Sequence, residues 1–240
     1  MRLSSLGCLG RQRGARALAV SSTIARRAFC TYTPPPAVAR IGELHEIVRS
    51  LHLDGEYEQA LQASREAYDL ARSEFGTSHP AFASAANNVA LMEKQSGNSD
   101  DAITLYQEAL DAYKASVGES HRSTAAAAYN LAVLLRAQGL PAKAEEHDRA
   151  ALSARETALG PEHPDTISSM SSLGSSLFLQ GKLDEAEPLL RRALEAREVL
   201  LGGAHPRVIG SARNLAACLD ALDRHLEAKE LIEYYPALYQ

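Results

Sequence analysis

One spacing governs this chain. Gly55, Gly97, Gly139 and Gly181 stand 42 residues apart, and Asp223 takes the fifth place in that register. Five positions further on, Ala60, Ala102, Ala144, Ala186 and Ala228 keep the step without exception. Gly76, Gly118, Gly160 and Gly202 form a third column, and His79, His121, His163 and His205 a fourth. Those histidines are followed by Pro80, Arg122, Pro164 and Pro206. No insertion or deletion breaks the register. A strict period of this length describes supersecondary units stacked on one another, each unable to bury its apolar faces alone.

Within a period the apolar residues recur at helical spacing. Ala102, Ile103, Tyr106, Ala109 and Leu110 follow the first glycine of one unit, and Leu131, Ala132 and Leu135 precede the first glycine of the next. Each unit is therefore two antiparallel helices, A then B. The first glycine falls just past helix A, where a left-handed residue suits glycine and is tolerated by Asp, as at Asp223. The conserved-step alanines fall where helix B crosses helix A, and a methyl group lets the axes approach closely. The second glycine is expected to end helix B in the same way as the first ends helix A. The proline after His opens the next helix, where its missing N–H costs nothing. The composition agrees: 45% of residues are apolar but only 5% aromatic, with no Trp, so the interior is built from Ala and Leu.

The N-terminal segment has a different character. Residues 1–42 hold seven Arg, no Lys and no acid, which leaves −12 for the rest of a chain whose formal charge is −5. Residues 1–30 are Arg- and Ser-rich, with Leu3, Leu6 and Leu9 at helical spacing opposite Arg11, Arg13 and Arg16. Those features predict a cleaved mitochondrial presequence. Arg27-Ala28-Phe29-Cys30 resembles a matrix-peptidase site. Residues 31–37, with Pro34, Pro35 and Pro36, read as a stiff linker, 38–235 as the repeat array, and 236–240 as a C-terminal tail. The acidic body argues against nucleic-acid binding, which needs a basic face. No run is long and apolar enough for an integral membrane segment.

The unit ALGPEHPDTISSMSSLGSSLFLQGKLDEAEPLLRRALEAREVLLGGAHP resembles the tetratricopeptide repeat of the kinesin-light-chain type. Shared elements are Asn-Leu-Ala in helix A, the Gln-Gly turn, Glu-Ala-Glu in helix B and the Leu-Gly-x-x-His-Pro linker. The resemblance implies an all-α fold, an α-solenoid of about five helix pairs in a right-handed superhelix with helices A lining the concave face. It also implies groove columns. One is Glu46, Asn88, Asn130, Ser172, Asn214; its neighbour is His45, Asn87, Tyr129, Ser171, Arg213; one turn on come His52, Lys94, Arg136, Phe178 and Asp220. The expected peptide-binding residues are Asn87, Asn88, Lys94, Tyr129, Asn130, Arg136, Ser172, Arg213 and Asn214. An Asn offers both donor and acceptor, so such a column either clamps the peptide groups of a ligand or bonds between neighbouring helices, and the two roles are compatible. Lys94 and Arg136 favour an acidic extended peptide or helix as partner. The chaperone carboxylate clamp of related domains is not matched, since His45, Arg49, Ala126 and Asn130 stand at its positions.

No catalytic constellation emerges, and neither cofactor nor metal is implied. The recurrent histidines sit one repeat apart, too far to share an ion. Glu145-Glu146-His147-Asp148 reads as a solvated helix face, and Cys218 as a small buried hydrophobe. Tyr234, Tyr235, Leu238 and Tyr239 read as either a cap on the last groove or a docking patch. The expectation is a non-enzymatic mitochondrial scaffold, in the matrix or peripheral to the inner membrane. Repeat type and address together resemble the imported tetratricopeptide proteins that assist assembly of respiratory complex III. The alternative is an accessory subunit of a respiratory complex or mitochondrial ribosome. A kinesin light chain proper is disfavoured, because residues 1–40 carry no heptads for a coiled coil.

Overall fold

The computed structural model describes residues 36–235. The expected presequence, the first part of the expected linker and the expected 236–240 tail lie outside the described residues. Ten α-helices alternate as pairs among them. Helices A are α1 (Pro36–Leu53), α3 (Pro80–Gln95), α5 (Arg122–Ala137), α7 (Pro164–Leu179) and α9 (Pro206–Ala221). Helices B are α2 (Tyr57–Phe75), α4 (Ser99–Val117), α6 (Pro141–Leu159), α8 (Leu183–Leu201) and α10 (His225–Tyr234). α1 begins at Pro36, two residues before the expected start of the array, because proline is well suited to a first helical turn.

Packing is between neighbours in sequence. In addition α1 touches α3, α5 touches α7, and α7 touches α9, while no comparable contact joins one described helix B to the next. Helices A are thus the more crowded layer, on the inner side of the curve. The five step alanines are the pivot of each pair: Ala60, Ala102, Ala144 and Ala186 have no exposed surface and Ala228 has 1%. In the fourth pair the approach is tighter still. A Cβ added at Gly174 would stand 2.8 Å from Leu190 Cγ, inside contact distance.

The two glycine columns end their helices by different geometry. After each helix A the residue at Gly55, Gly97, Gly139, Gly181 or Asp223 has positive φ, Asp223 at 61°. The next N–H reaches back to the carbonyl five residues earlier, as Lys182 does to Leu177 and Arg224 to Leu219 at 3.0 and 2.9 Å. This is a Schellman closure, which Asp can enter. After helix B, Gly76, Gly118, Gly160 and Gly202 combine φ of 75–92° with ψ of 150–177°. That region is essentially restricted to glycine. The second column therefore does not repeat the first, and the absence of any substitute in it has a steric cause.

The linker histidines are N-caps. His79, His121, His163 and His205 each turn Nδ1 onto the backbone N–H two residues ahead, at 3.1 Å in all four cases. That satisfies one of the orphan donors of α3, α5, α7 and α9. The ring must present a lone pair at Nδ1 to do so.

The array closes on Tyr235. Its ring is 4% exposed and its hydroxyl donates to Glu198 Oε2 at 2.8 Å. Burial and that carboxylate both hold the phenol proton on well above the ordinary range. Tyr234 meets it edge-on and stays 69% exposed, so the two tyrosines divide the expected roles: Tyr235 caps and Tyr234 faces solvent. Leu238 and Tyr239 lie outside the described residues. No helix among the described residues is long and apolar enough to cross a membrane.

Candidate functional site: the inner face of helices A

The expected groove residues separate into three groups. Asn87, Asn88 and Lys94 on α3 and Tyr129 and Asn130 on α5 are half-buried. Asn130 Nδ2 donates to Asn87 Oδ1 at 3.3 Å, so these two link repeats 2 and 3 directly. The structural use of the Asn column is real there, and Asn88 beside them makes no side-chain hydrogen bond among the described residues. Arg213 and Asn214 on α9 are exposed. Asn214 Nδ2 reaches Ser175 Oγ only at 3.5 Å, a long and weak contact.

Arg136 and Ser172 depart from the expected role. Ser172 is 4% exposed, and the Arg136 side chain 17%. Arg136 Nη1 donates to the Ser172 carbonyl at 3.1 Å, to Ser172 and Ser176 Oγ at 3.0 Å each, and lies 3.2 Å from Asp148 Oδ2. The guanidinium is spent on a contact between α5, α6 and α7. Ser172 is small enough for the next repeat to close over it, and Arg136 completes that closure. Asp148 itself is fully buried, so the acidic run before it is no solvated face: only Glu146 of Glu145–Asp148 is exposed. Burial pushes the Asp148 carboxyl up despite the hydrogen bonds from Ser176 and Ser172 and the charge of Arg136.

Three arginines that the repeat pattern did not single out converge near Arg213. Arg155 on α6 and Arg197 on α8 are 42 residues apart and repeat the same contact. Arg155 Nη1 donates to Ser169 Oγ at 2.8 Å and to the Asp165 carbonyl at 2.9 Å. Arg197 Nη1 donates to Ser211 Oγ and, at 3.2 Å, to Ser171 Oγ. The Arg155 guanidinium also lies 4.7 Å from the centre of the Tyr129 ring. With Arg207, Arg213, Tyr129 and Asn214 they line a cavity of 530 Å³ whose one acid is Asp165. Burial lowers the pKa of both inner arginines; Asp165 opposes this for Arg155, whereas Arg207 adds to it for Arg197. A second cavity, of 510 Å³, opens beside the first on α5, α7, α8 and α9. It is lined by Val133, Phe178, Leu179 and Leu190 together with Arg136 and Ser175, and shares Asn214 with its neighbour. The column of Arg155 and Arg197 is readable in the sequence, but it lies on helix B and the resemblance directed attention to helix A.

The tetratricopeptide repeat family signature matches residues 42–115, 123–198 and 169–233. The chain belongs to the tetratricopeptide repeat family. Among solved structures, this tetratricopeptide array is similar to the kinesin-light-chain-type repeats of Podospora anserina. The two are 22% identical over 86% of this chain and 96% of that one, with a TM-score of 0.73. It is also similar to BtubC of P. vanneervenii, at 20% identity over 85% and 81% of the two chains and the same TM-score. MamA of Desulfovibrio magneticus follows at 16% identity over 83% and 95%, with a TM-score of 0.62. At these identities the likeness concerns the fold. Comparison with curated proteins gives no match. The tetratricopeptide fold is that of a protein-interaction scaffold, and repeats of this family generally serve binding rather than catalysis.

Proposed function

We propose that the protein is a non-catalytic mitochondrial adaptor whose inner face holds an extended or helical segment of another protein. The observation that carries this reading is the open polar row of Asn88, Tyr129, Arg213 and Asn214 on helices A, whose side chains make no hydrogen bond among the described residues beyond the long contact of Asn214 to Ser175. Water satisfies these groups in the free protein, and a ligand's peptide groups can replace that water with the same donors and acceptors. Import is supported by the basic, acid-free composition of residues 1–30. Within mitochondria the role is assistance to assembly of a respiratory complex, complex III foremost.

Affinity purification from isolated mitochondria tests the reading. Asn88, Asn130 and Asn214 replaced together by Ala should abolish partner capture with helicity near normal. Normal capture by that variant overturns the groove assignment. A reporter fused to residues 1–36 that stays outside mitochondria overturns the destination. Transient, substoichiometric association supports the assembly role, and stable one-to-one co-migration with a mature complex would replace it by that of an accessory subunit.

A further inference from the structure

The cavity between α5, α6, α7, α8 and α9 carries an unbalanced charge. Four guanidiniums and one carboxylate line it, a surplus of three positive charges in a concavity. The hydrogen bonds that hold Arg155 and Arg197 run to serine hydroxyls and a carbonyl, all neutral. Among the described residues no carboxylate oxygen comes within 4.0 Å of any of the four guanidiniums. The asymmetry between repeats sharpens this. Asp165 opens α7 opposite Arg155; one repeat later the same place is taken by Arg207, opposite Arg197. The repeat that could have carried a compensating acid carries a fourth cation instead.

Withdrawing an arginine from water beside another arginine is costly unless an anion joins them. Both inner guanidiniums are fixed through Nη1 alone, so their remaining N–H groups are available as pre-oriented donors. A single carboxylate would cancel one of the three surplus charges. A phosphoryl group cancels close to two and offers three acceptor oxygens, which suits several forks at once. The adjoining cavity identifies what carries that group. It is mostly apolar, with Phe178 and Leu179 in its wall beside Arg136 and Ser175, and shares Asn214 with the arginine pocket. A free phosphate would leave it empty, whereas a polypeptide passing Asn214 places an apolar side chain there.

We propose that the Arg155–Arg197–Arg207–Arg213 pocket receives the phosphoryl group of a phosphorylated residue on the partner segment, with a neighbouring apolar residue of that segment seated against Phe178 and Leu179. This deepens the groove reading above and rests on it. The specificity is then for a phosphorylated, apolar-flanked segment, and partner binding is switched on by its phosphorylation.

The full-length protein, titrated at constant ionic strength with short peptide pools that are degenerate apart from a central phosphoserine, serine or glutamate, provides the test. The phosphoserine pool should bind at least about tenfold more tightly than either other pool. Arg207→Gln with Arg213→Gln, both exposed and without interior contacts, should erase that preference while circular dichroism stays unchanged. Arg197→Gln should erase it too. Equal binding of the three pools, or a preference that survives in the Arg207/Arg213 variant, overturns the proposal. Displacement by inorganic phosphate at the peptide's own concentration would make free phosphate the ligand and overturns the assignment to a segment. The two readings fail separately. If only the phosphoryl site is wrong, Arg207→Gln alone, which leaves the groove row untouched, captures the mitochondrial partner normally and the asparagine variant does not. If only the groove reading is wrong, the phosphoserine preference persists while the asparagine variant captures normally.

Discussion

Arg136 Nη1 stands 3.2 Å from Asp148 Oδ2, and Asp148 has no exposed surface at all. The pair joins helix A of one repeat to its own helix B, and through Ser172 and Ser176 it extends to helix A of the next. Removing one partner of a buried pair is far worse than removing both, because the remaining charge has nowhere to go. Arg136→Met should therefore cost about 3–5 kcal/mol in urea unfolding. Burial already raises the Asp148 carboxyl above its unfolded value. Folding thus takes up a proton where the two differ, and stability contributed by this group falls as pH rises through that window. Without Arg136 the window widens upward, so the deficit of the variant should shrink as pH is lowered. A deficit independent of pH would contradict this account of Asp148.

Glu145 titrates in the opposite sense. Lys182 at 2.7 Å, with Gln180 and Arg149 each at 2.8 Å, holds its carboxyl down to about 2 against an ordinary value of 4.5. A depressed carboxyl contributes stability that is present above 4.5 and is lost as pH falls toward 2. Lys182 and Arg149 are 43% and 48% exposed, so solvent screening reduces the worth of the network. Glu145→Gln should cost about 1 kcal/mol near neutrality. Thermal melts of the two proteins should converge as pH drops through that interval, and a gap that stays constant would show that the network contributes nothing.

What could be read in the sequence was whatever every repeat needs. Ala144 and its equivalents, the glycines, and the His-Pro linkers answer to backbone and crossing requirements that recur each 42 residues, so they stand out as columns. The site is written differently. Ser172 and Arg136 occupy groove columns yet are consumed by the interface, because a serine is small enough to be covered and an arginine long enough to cover it. Asp148 hides in an acidic run for a similar reason: one residue in a helical run faces inward whatever its neighbours do. The arginine pocket draws on five helices from three repeats, and no one-dimensional period displays that convergence. Arg155 and Arg197 share a column, but their meaning depends on Arg207 replacing Asp165 one step later.

The two glycine columns should respond differently to the same substitution. Asp223 shows that an acidic residue can occupy the left-handed position after helix A, at φ 61°. Gly181→Asp should therefore cost about 1 kcal/mol or less. Gly160 has φ 85° and ψ 166°, where a Cβ is badly placed, and Gly160→Asp should cost about 1–3 kcal/mol. An added Cβ has open space at both sites, so the contrast isolates backbone conformation from crowding. Equal melting temperatures for the two variants would contradict it.

His163 offers a final check on how the repeats are joined. Its Nδ1 accepts the Asp165 N–H at 3.1 Å, while Pro164 at the start of α7 has no N–H to satisfy. Capping residues replaced by Ala typically cost about 1 kcal/mol, and those replaced by another short acceptor much less. His163→Ala should thus lower stability by about 1 kcal/mol, and His163→Asn should recover most of it. Because Arg155 bonds the Asp165 carbonyl in the same first turn, fraying of α7 would also loosen the arginine pocket. Amide exchange at Asp165 should accelerate in His163→Ala and return toward the wild-type rate in His163→Asn. If Asn gives no recovery, the ring's packing rather than its lone pair is what the linker requires.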